Sequence, residues 1–165
     1  MSPTPSARAL APLVERRVVT CPDPAATRDL AAALARVAAP GDVISLIGEL
    51  GAGKTLFAKG FGAGLGVTAT INSPSFVLMA EYAGRLPLFH LDLYRLADAG
   101  DALAGGLIDE RQGEGVTLIE WAERLGPALP AGRLEVRIDG TGDEPRTITL
   151  SIVDPAYRRY LQAVP

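Results

Sequence analysis

The chain has 165 residues, 48% of them hydrophobic and 21% charged, with a formal net charge of -3. That composition makes one domain of ordinary size with apolar material for a core, and excludes a disordered or fibrous chain. One Cys (Cys21) and one His (His90) exclude a Cys/His zinc site and a disulfide framework, and the acidic balance excludes a domain that grips nucleic acid through a basic face.

Residues 1–15 carry Pro3, Pro5 and Pro12 without a period of two or 3.6, and read as a flexible N-terminal extension; residues 16–165 read as one domain. Pro12 also interrupts Ala9 to Val14, so no secretory core is present. No apolar run reaches the roughly 18 residues of a membrane span, and the expected location is the cytoplasm, with no membrane partner.

Arg16 to Thr20 is a short β-branched run. Asp23-Pro24 then offers an N-cap with proline at the first helical position, and Leu30, Leu34, Val37 and Ala38 continue a helix until Pro40-Gly41. Val43 to Ile47 is an unbroken apolar run between glycines, which predicts a strand buried on both faces and therefore a parallel sheet.

Next come Gly48, Glu49, Leu50, Gly51, Ala52, Gly53, Lys54 and Thr55, and then Leu56, Phe57, Phe61 and Leu65 at helical spacing. Strand, glycine loop and helix are the context that G-x-x-x-x-G-K-[ST] requires. The glycines let successive N–H groups turn onto phosphate oxygens and the helix start adds its positive dipole end. Lys54 reaches the outer phosphates and Thr55 ligates Mg²⁺. Lysine at this position is informative, because the chain has two Lys and fourteen Arg. Lys59, on the same helix, reads as solvated, and Cys21 as a small packed residue.

Phe76, Leu78, Ala80 and Tyr82 alternate, and with the turn at Gly84 and the run Leu86 to Leu91 they predict a hairpin. Ala97 to Gln112 is at best weakly helical. Val116 to Ile119 is a further buried strand. Leu134, Val136, Ile138 and Ile148, Leu150, Ile152 predict two more strands around the turn Asp139 to Asp143, and Asp154-Pro155 starts a last helix bearing Tyr160, Leu161 and Val164. The fold expected is α/β: a three-layer P-loop NTPase-like domain with a mixed, mostly parallel sheet flanked by helices. Asp92 and Glu120 each close a buried strand at the end where the glycine loop sits, so either is a candidate to bind Mg²⁺ or to order an attacking water.

A guanine-reading GTPase is excluded, since the only Asn, Asn72, is followed by Ser73 rather than Lys. There is no Leu-Ser-Gly-Gly signature and no room for a lid domain. A small-molecule kinase and a nucleotide-sensing scaffold stay open as alternatives to an ATP hydrolase.

The phosphate loop, Ser73-Pro-Ser-Phe76, His90-Leu-Asp-Leu-Tyr-Arg-Leu96 and Ile119-Glu-Trp121 occur in an order and spacing that resemble the TsaE family, from about Arg16 to the C-terminus. That resemblance implies a weak, partner-dependent Mg²⁺ and ATP enzyme. It would act with TsaB and TsaD in the threonylcarbamoylation of adenosine 37 of tRNA (t6A), meeting tRNA only through that complex. It implies Lys54, Asp92 and Glu120 as catalytic residues and residues 48–55 as the cofactor loop. Thr55, Glu120 and Asp92 would be metal contacts, and Trp121 would lie near the adenine. The loop Cys21 to Thr27 is suggested to lie over the adenine, and Ser73 to Phe76 to be switch-like, with Ser75 where the family often has Thr. His90 shares a strand face with Asp92, in reach of a carboxylate or a partner. Arg95 reads equally as a partner contact or a structural ion pair.

Overall fold

The computed structural model describes residues 14–74, 79–95 and 110–165. The elements are β1 (Glu15–Cys21), α1 (Pro24–Ala35), β2 (Val43–Gly48), α2 (Lys54–Gly64), β3 (Met79–Tyr82), β4 (Leu88–Asp92), β5 (Val116–Glu120), β6 (Leu134–Asp139), β7 (Arg146–Ile152) and α3 (Arg158–Gln162), with 3-10 turns at Glu110–Glu114, Ala122–Ala128 and Pro155–Tyr157. The seven strands form one sheet in the order β1-β7-β6-β2-β5-β4-β3. Strands β6, β2, β5 and β4 are mutually parallel, while β7 and β3 run against their neighbours. The sheet is thus mixed and mostly parallel, as its continuous apolar runs predict, and antiparallel pairing is confined to the flanks.

The alternation of each strand decides the layers. Ile44 and Leu46, Val116 and Leu118, and Val136 and Leu150 point to the face covered by α1, α2 and α3, where Leu30, Leu34, Phe57, Phe61 and Tyr160 complete the main core. Phe89, Leu91 and Ile119 point to the opposite face, where the 3-10 turn bearing Ala122 and Leu125 covers them. Among the described residues that second layer spans only the β4-β5 part of the sheet. Asp23 caps α1 by accepting from the Ala26 N–H at 2.9 Å, as read from Asp23-Pro24, and α1 ends at Ala35, three residues before Ala38. Ala38 stays buried, because the turn after the helix keeps it against the core. The first strand begins at Glu15. Phe76 and Leu78 of the expected hairpin, Leu96, and most of the stretch from Ala97 to Gln112 lie outside the described residues, as does nearly all of the N-terminal extension.

A buried polar cluster ties α3 to the sheet. Asp42 accepts from the Ala39 N–H at 2.9 Å, from Arg159 Nη2 and from the Tyr160 hydroxyl, and Tyr157 accepts from the Val43 N–H at 3.0 Å. Burial first, then the bond to Asp42, pushes the Tyr160 hydroxyl well above the usual tyrosine range, and burial raises Tyr157 as well. Above pH 10 the folded state keeps protons that the unfolded chain has lost, so stability is full below about pH 10 and falls as pH rises beyond it. Tyr160→Phe is expected to cost about 1–2 kcal/mol at pH 7 in urea melts, and to reduce the alkaline decline to the share carried by Tyr157.

Candidate functional site

The glycine loop leaves the C-terminal end of β2 in the middle of the sheet and enters α2 directly. Gly51 and Gly53 sit at φ +84° and +108°, a left-handed backbone that a side chain would strain. At Gly48 a Cβ would lie 2.6 Å from the Ile138 carbonyl of β6, so glycine is needed there for close strand approach. The Ala52 N–H closes a turn onto Glu49 O at 3.0 Å, and Phe57 N–H onto Gly53 O at 2.9 Å begins the helix. The Ala52 amide is thus used within the loop, and the amides that open α2 are those a helix leaves without an intrahelical partner, where an anion can meet them together with the helix dipole.

Lys54 folds back over this loop. Its ammonium donates to Gly48 O at 2.6 Å and Glu49 O at 2.9 Å and lies 4.1 Å from the centre of the Trp121 ring. Burial pushes its proton affinity down, while the carboxylates of Glu120, Glu123 and Asp92 act in the opposite sense. Glu123 is shifted upward, chiefly by burial.

Asp92 and Glu120 are directly paired at the ends of β4 and β5, and they are only 6% and 3% exposed. The Thr55 hydroxyl lies 3.1 and 3.2 Å from the two Glu120 oxygens. His90 Nε2 is 2.6 Å from Glu120 Oε2, so with the carboxylate ionised the imidazole donates to it. His90 is fully buried and its Nδ1 has no hydrogen-bond partner among the described residues. The carboxylate contact open to His90 is formed, and it reaches across to Glu120 rather than along its own strand to Asp92. Asp92 accepts instead from the Ser73 hydroxyl and from the Tyr94 N–H at 3.0 Å.

Among the described residues no group of three or more His, Cys, Asp or Glu side chains surrounds a single point. What the site offers is one hydroxyl and two buried carboxylates, all hard oxygen donors. That incomplete set fits Mg²⁺, which takes one or two protein carboxylates and fills the rest of its shell with water and phosphate oxygens.

Trp121 has φ +59°, the one non-glycine residue in the left-handed region among those described. Its ring leans on Tyr94, centroids 5.0 Å apart, at the Lys54 end of the loop. A separate cavity of about 200 Å³ lies beside the loop, between Cys21 to Thr27 and the turn at Gly142 to Glu144, with Gly53 and Leu56 as its floor. Trp121 does not line it. Cys21 is buried and burial raises its thiol, whereas Lys59 is exposed. Glu49 and Leu50 are exposed on the loop's outer bend, Leu50 at the mouth of the groove that holds Lys54, Thr55, Asp92 and Glu120. Arg95 lines the same groove, and Ser75 lies outside the described residues.

Sequence reasoning missed Arg146. Its guanidinium donates to Ala52 O at 2.9 Å and Gly51 O at 3.4 Å, the backbone of the glycine loop. Neither its spacing nor its neighbours carry a motif, so no local signal marks it.

The family model described as "Threonylcarbamoyl adenosine biosynthesis protein TsaE" matches residues 21–148. The tRNA threonylcarbamoyladenosine biosynthesis protein TsaE of Bacillus subtilis is 46% identical over 136 residues, covering 82% of this chain and 85% of that one. The corresponding Treponema pallidum protein is 42% identical over 116 residues, covering 70% and 86%. The crystal structure of Bacillus subtilis YdiB superposes with a TM-score of 0.75 at 37% identity, over 91% of this chain and 94% of that one.

Proposed function

Because this chain belongs to the TsaE family, whose role is in tRNA threonylcarbamoyladenosine biosynthesis, we propose that it is the Mg²⁺-dependent ATPase of that modification, acting with TsaB and TsaD. The observation that carries the reading is the meeting of the glycine loop, Lys54 and Thr55 with two buried carboxylates, Asp92 and Glu120, at the strand ends. No helix of the described residues is long and apolar enough to cross a membrane.

The phosphates of ATP lie along the amides of residues 53–55, the Ala52 N–H being used within the loop, with Lys54 turning from Gly48 O and Glu49 O onto the outer phosphates. Trp121 and Tyr94 then flank the γ-phosphate end, because the Trp121 ring is against the Lys54 ammonium. The base belongs in the cavity under Cys21 to Thr27, at the other side of the loop. This departs from the expectation that Trp121 lies near the adenine: a ring touching the residue that grips the outer phosphates is at the wrong end of the nucleotide. Thr55 and Glu120 would hold Mg²⁺, which would supply neutralising charge to the phosphate oxygens; their mutual contact at 3.1 and 3.2 Å supports this assignment. Asp92, not engaged by Thr55, is free on that side to orient the water for in-line attack on the γ-phosphorus, while Lys54 withdraws the charge that develops. His90 holds the Glu120 carboxylate from behind.

The test is multiple-turnover formation of t6A by purified TsaB and TsaD on tRNA, with and without this protein. Added protein is expected to raise the yield and to release phosphate from ATP faster than it does alone. Unchanged yield and unchanged hydrolysis overturn the reading. Phosphate transferred to a metabolite in place of release would establish the kinase instead.

A further inference from the structure

Arg146 opens β7 and lies between two segments remote in sequence. Beside its bonds to Ala52 O and Gly51 O, it donates to Gly142 O at 3.0 Å and to Glu144 O. One half-buried guanidinium thus joins the back of the glycine loop to the β6–β7 turn that walls the neighbouring cavity. We propose that Arg146 is a positioning residue for nucleotide binding, holding the Gly51 and Ala52 carbonyls outward so that the Ala52 N–H keeps its turn onto Glu49 O and the Gly53 N–H stays turned toward the phosphates.

The inference rests on the nucleotide reading of the loop and goes beyond it. A peptide whose carbonyl rotates inward presents an oxygen where an N–H is needed, so it repels an anion instead of binding it. With two residues at positive φ, the loop has that freedom, because glycine costs little to rotate. A group that ties the carbonyls from outside removes the freedom before the ligand arrives, and binding no longer bears that ordering entropy. A cation behind the loop also polarises the peptides it bonds, making their N–H ends better donors. The planar fork matters here. Arg presents several donors in fixed directions to carbonyls of two segments, which the single ammonium of lysine does not reproduce. The side chain is not needed for the sheet, since the backbone of β7 pairs with β1 and β6 along its length.

The experiment compares wild type, Arg146→Met and Arg146→Lys, using ADP titrated in a calorimeter and amide hydrogen exchange of the nucleotide-free protein. Arg146→Met is expected to weaken ADP about tenfold, with Arg146→Lys recovering only part of the loss. Exchange should accelerate at residues 51–53 and in the turn at 140–144, while strands β2 and β5 and the thermal midpoint stay at wild-type values. In hydrolysis the change should fall on KM, with kcat kept within about twofold. Wild-type affinity in Arg146→Met overturns the assignment, as does faster exchange throughout the sheet, the mark of a merely structural role. Should Arg146→Met fail to fold, Arg146→Lys is judged by the same criteria. A wild-type protein that binds no ADP would bring down the nucleotide reading itself, an outcome distinct from equal binding by all three chains.

Discussion

Lys54→Ala is expected to lower ATP hydrolysis by about 10²–10³-fold, because it removes the cation that begins α2 and lies against the glycine loop. That ammonium is held by Gly48 O, Glu49 O and the Trp121 face, so it lies in the proposed site and would need only to change acceptors to meet a phosphate. Its charged form is disfavoured by burial, and among the described residues no anionic side chain lies within salt-bridge distance to compensate fully. A bound polyphosphate would supply that compensation, which is why the expected effect is large. Alanine is a good helix former at the first position of α2, and it relieves a buried ammonium, so the melting temperature of the nucleotide-free variant should not fall. Phosphate release and a circular dichroism melt check the two halves together. Full hydrolysis by Lys54→Ala would remove the loop from the mechanism.

Glu120→Gln is the second large effect. The carboxylate is 3% exposed and is approached by the Thr55 hydroxyl and by His90 Nε2, so the isosteric amide keeps an oxygen for either donor while removing the charge. ATP and ADP binding should stay within about threefold, since the loop amides and Lys54 remain, whereas hydrolysis falls by about 10²–10³-fold. The yield of t6A under multiple turnover should fall with it. A nucleotide-sensing scaffold predicts the reverse, an intact yield without hydrolysis, and so the same variant separates the two. Together with Tyr160→Phe at the opposite end of the sheet and Arg146→Met behind the loop, these changes distinguish loss of chemistry from loss of fold and from loss of loop order.

Much of the site is legible from local patterns. The run Val43 to Ile47 demands a buried strand, and the glycines after it have no purpose in a strand-to-helix turn except to permit positive φ and close approach. Asp92 and Glu120 are recognisable because a carboxylate that ends an apolar strand has no apolar reason to be there. Strand alternation puts His90 on the face of Asp92, in reach of a carboxylate or a partner, but its contact with Glu120 depends on β4 and β5 being neighbours in register, with Asp92 opposite Glu120. Trp121 follows Glu120 by one residue, yet its direction is set by a left-handed backbone that no residue type announces. Arg146 is remote from the loop in sequence, in a hairpin whose own pattern is complete without it.

The amino-acid sequence by itself therefore determined most of the strands and the first two helices, the parallel centre of the sheet and the glycine loop, since hydrophobic period, capping and glycine placement are local and each acts over a few residues. The tertiary structure alone decided which side chains meet. Strand order and register place Glu120 against Thr55 and His90, put Trp121 at the Lys54 end of the loop, and bring Arg146 to the backs of Gly51 and Ala52. Those contacts join residues from about 30 to 95 positions apart, where the outcome depends on how whole elements pack and no local preference is strong enough to fix it.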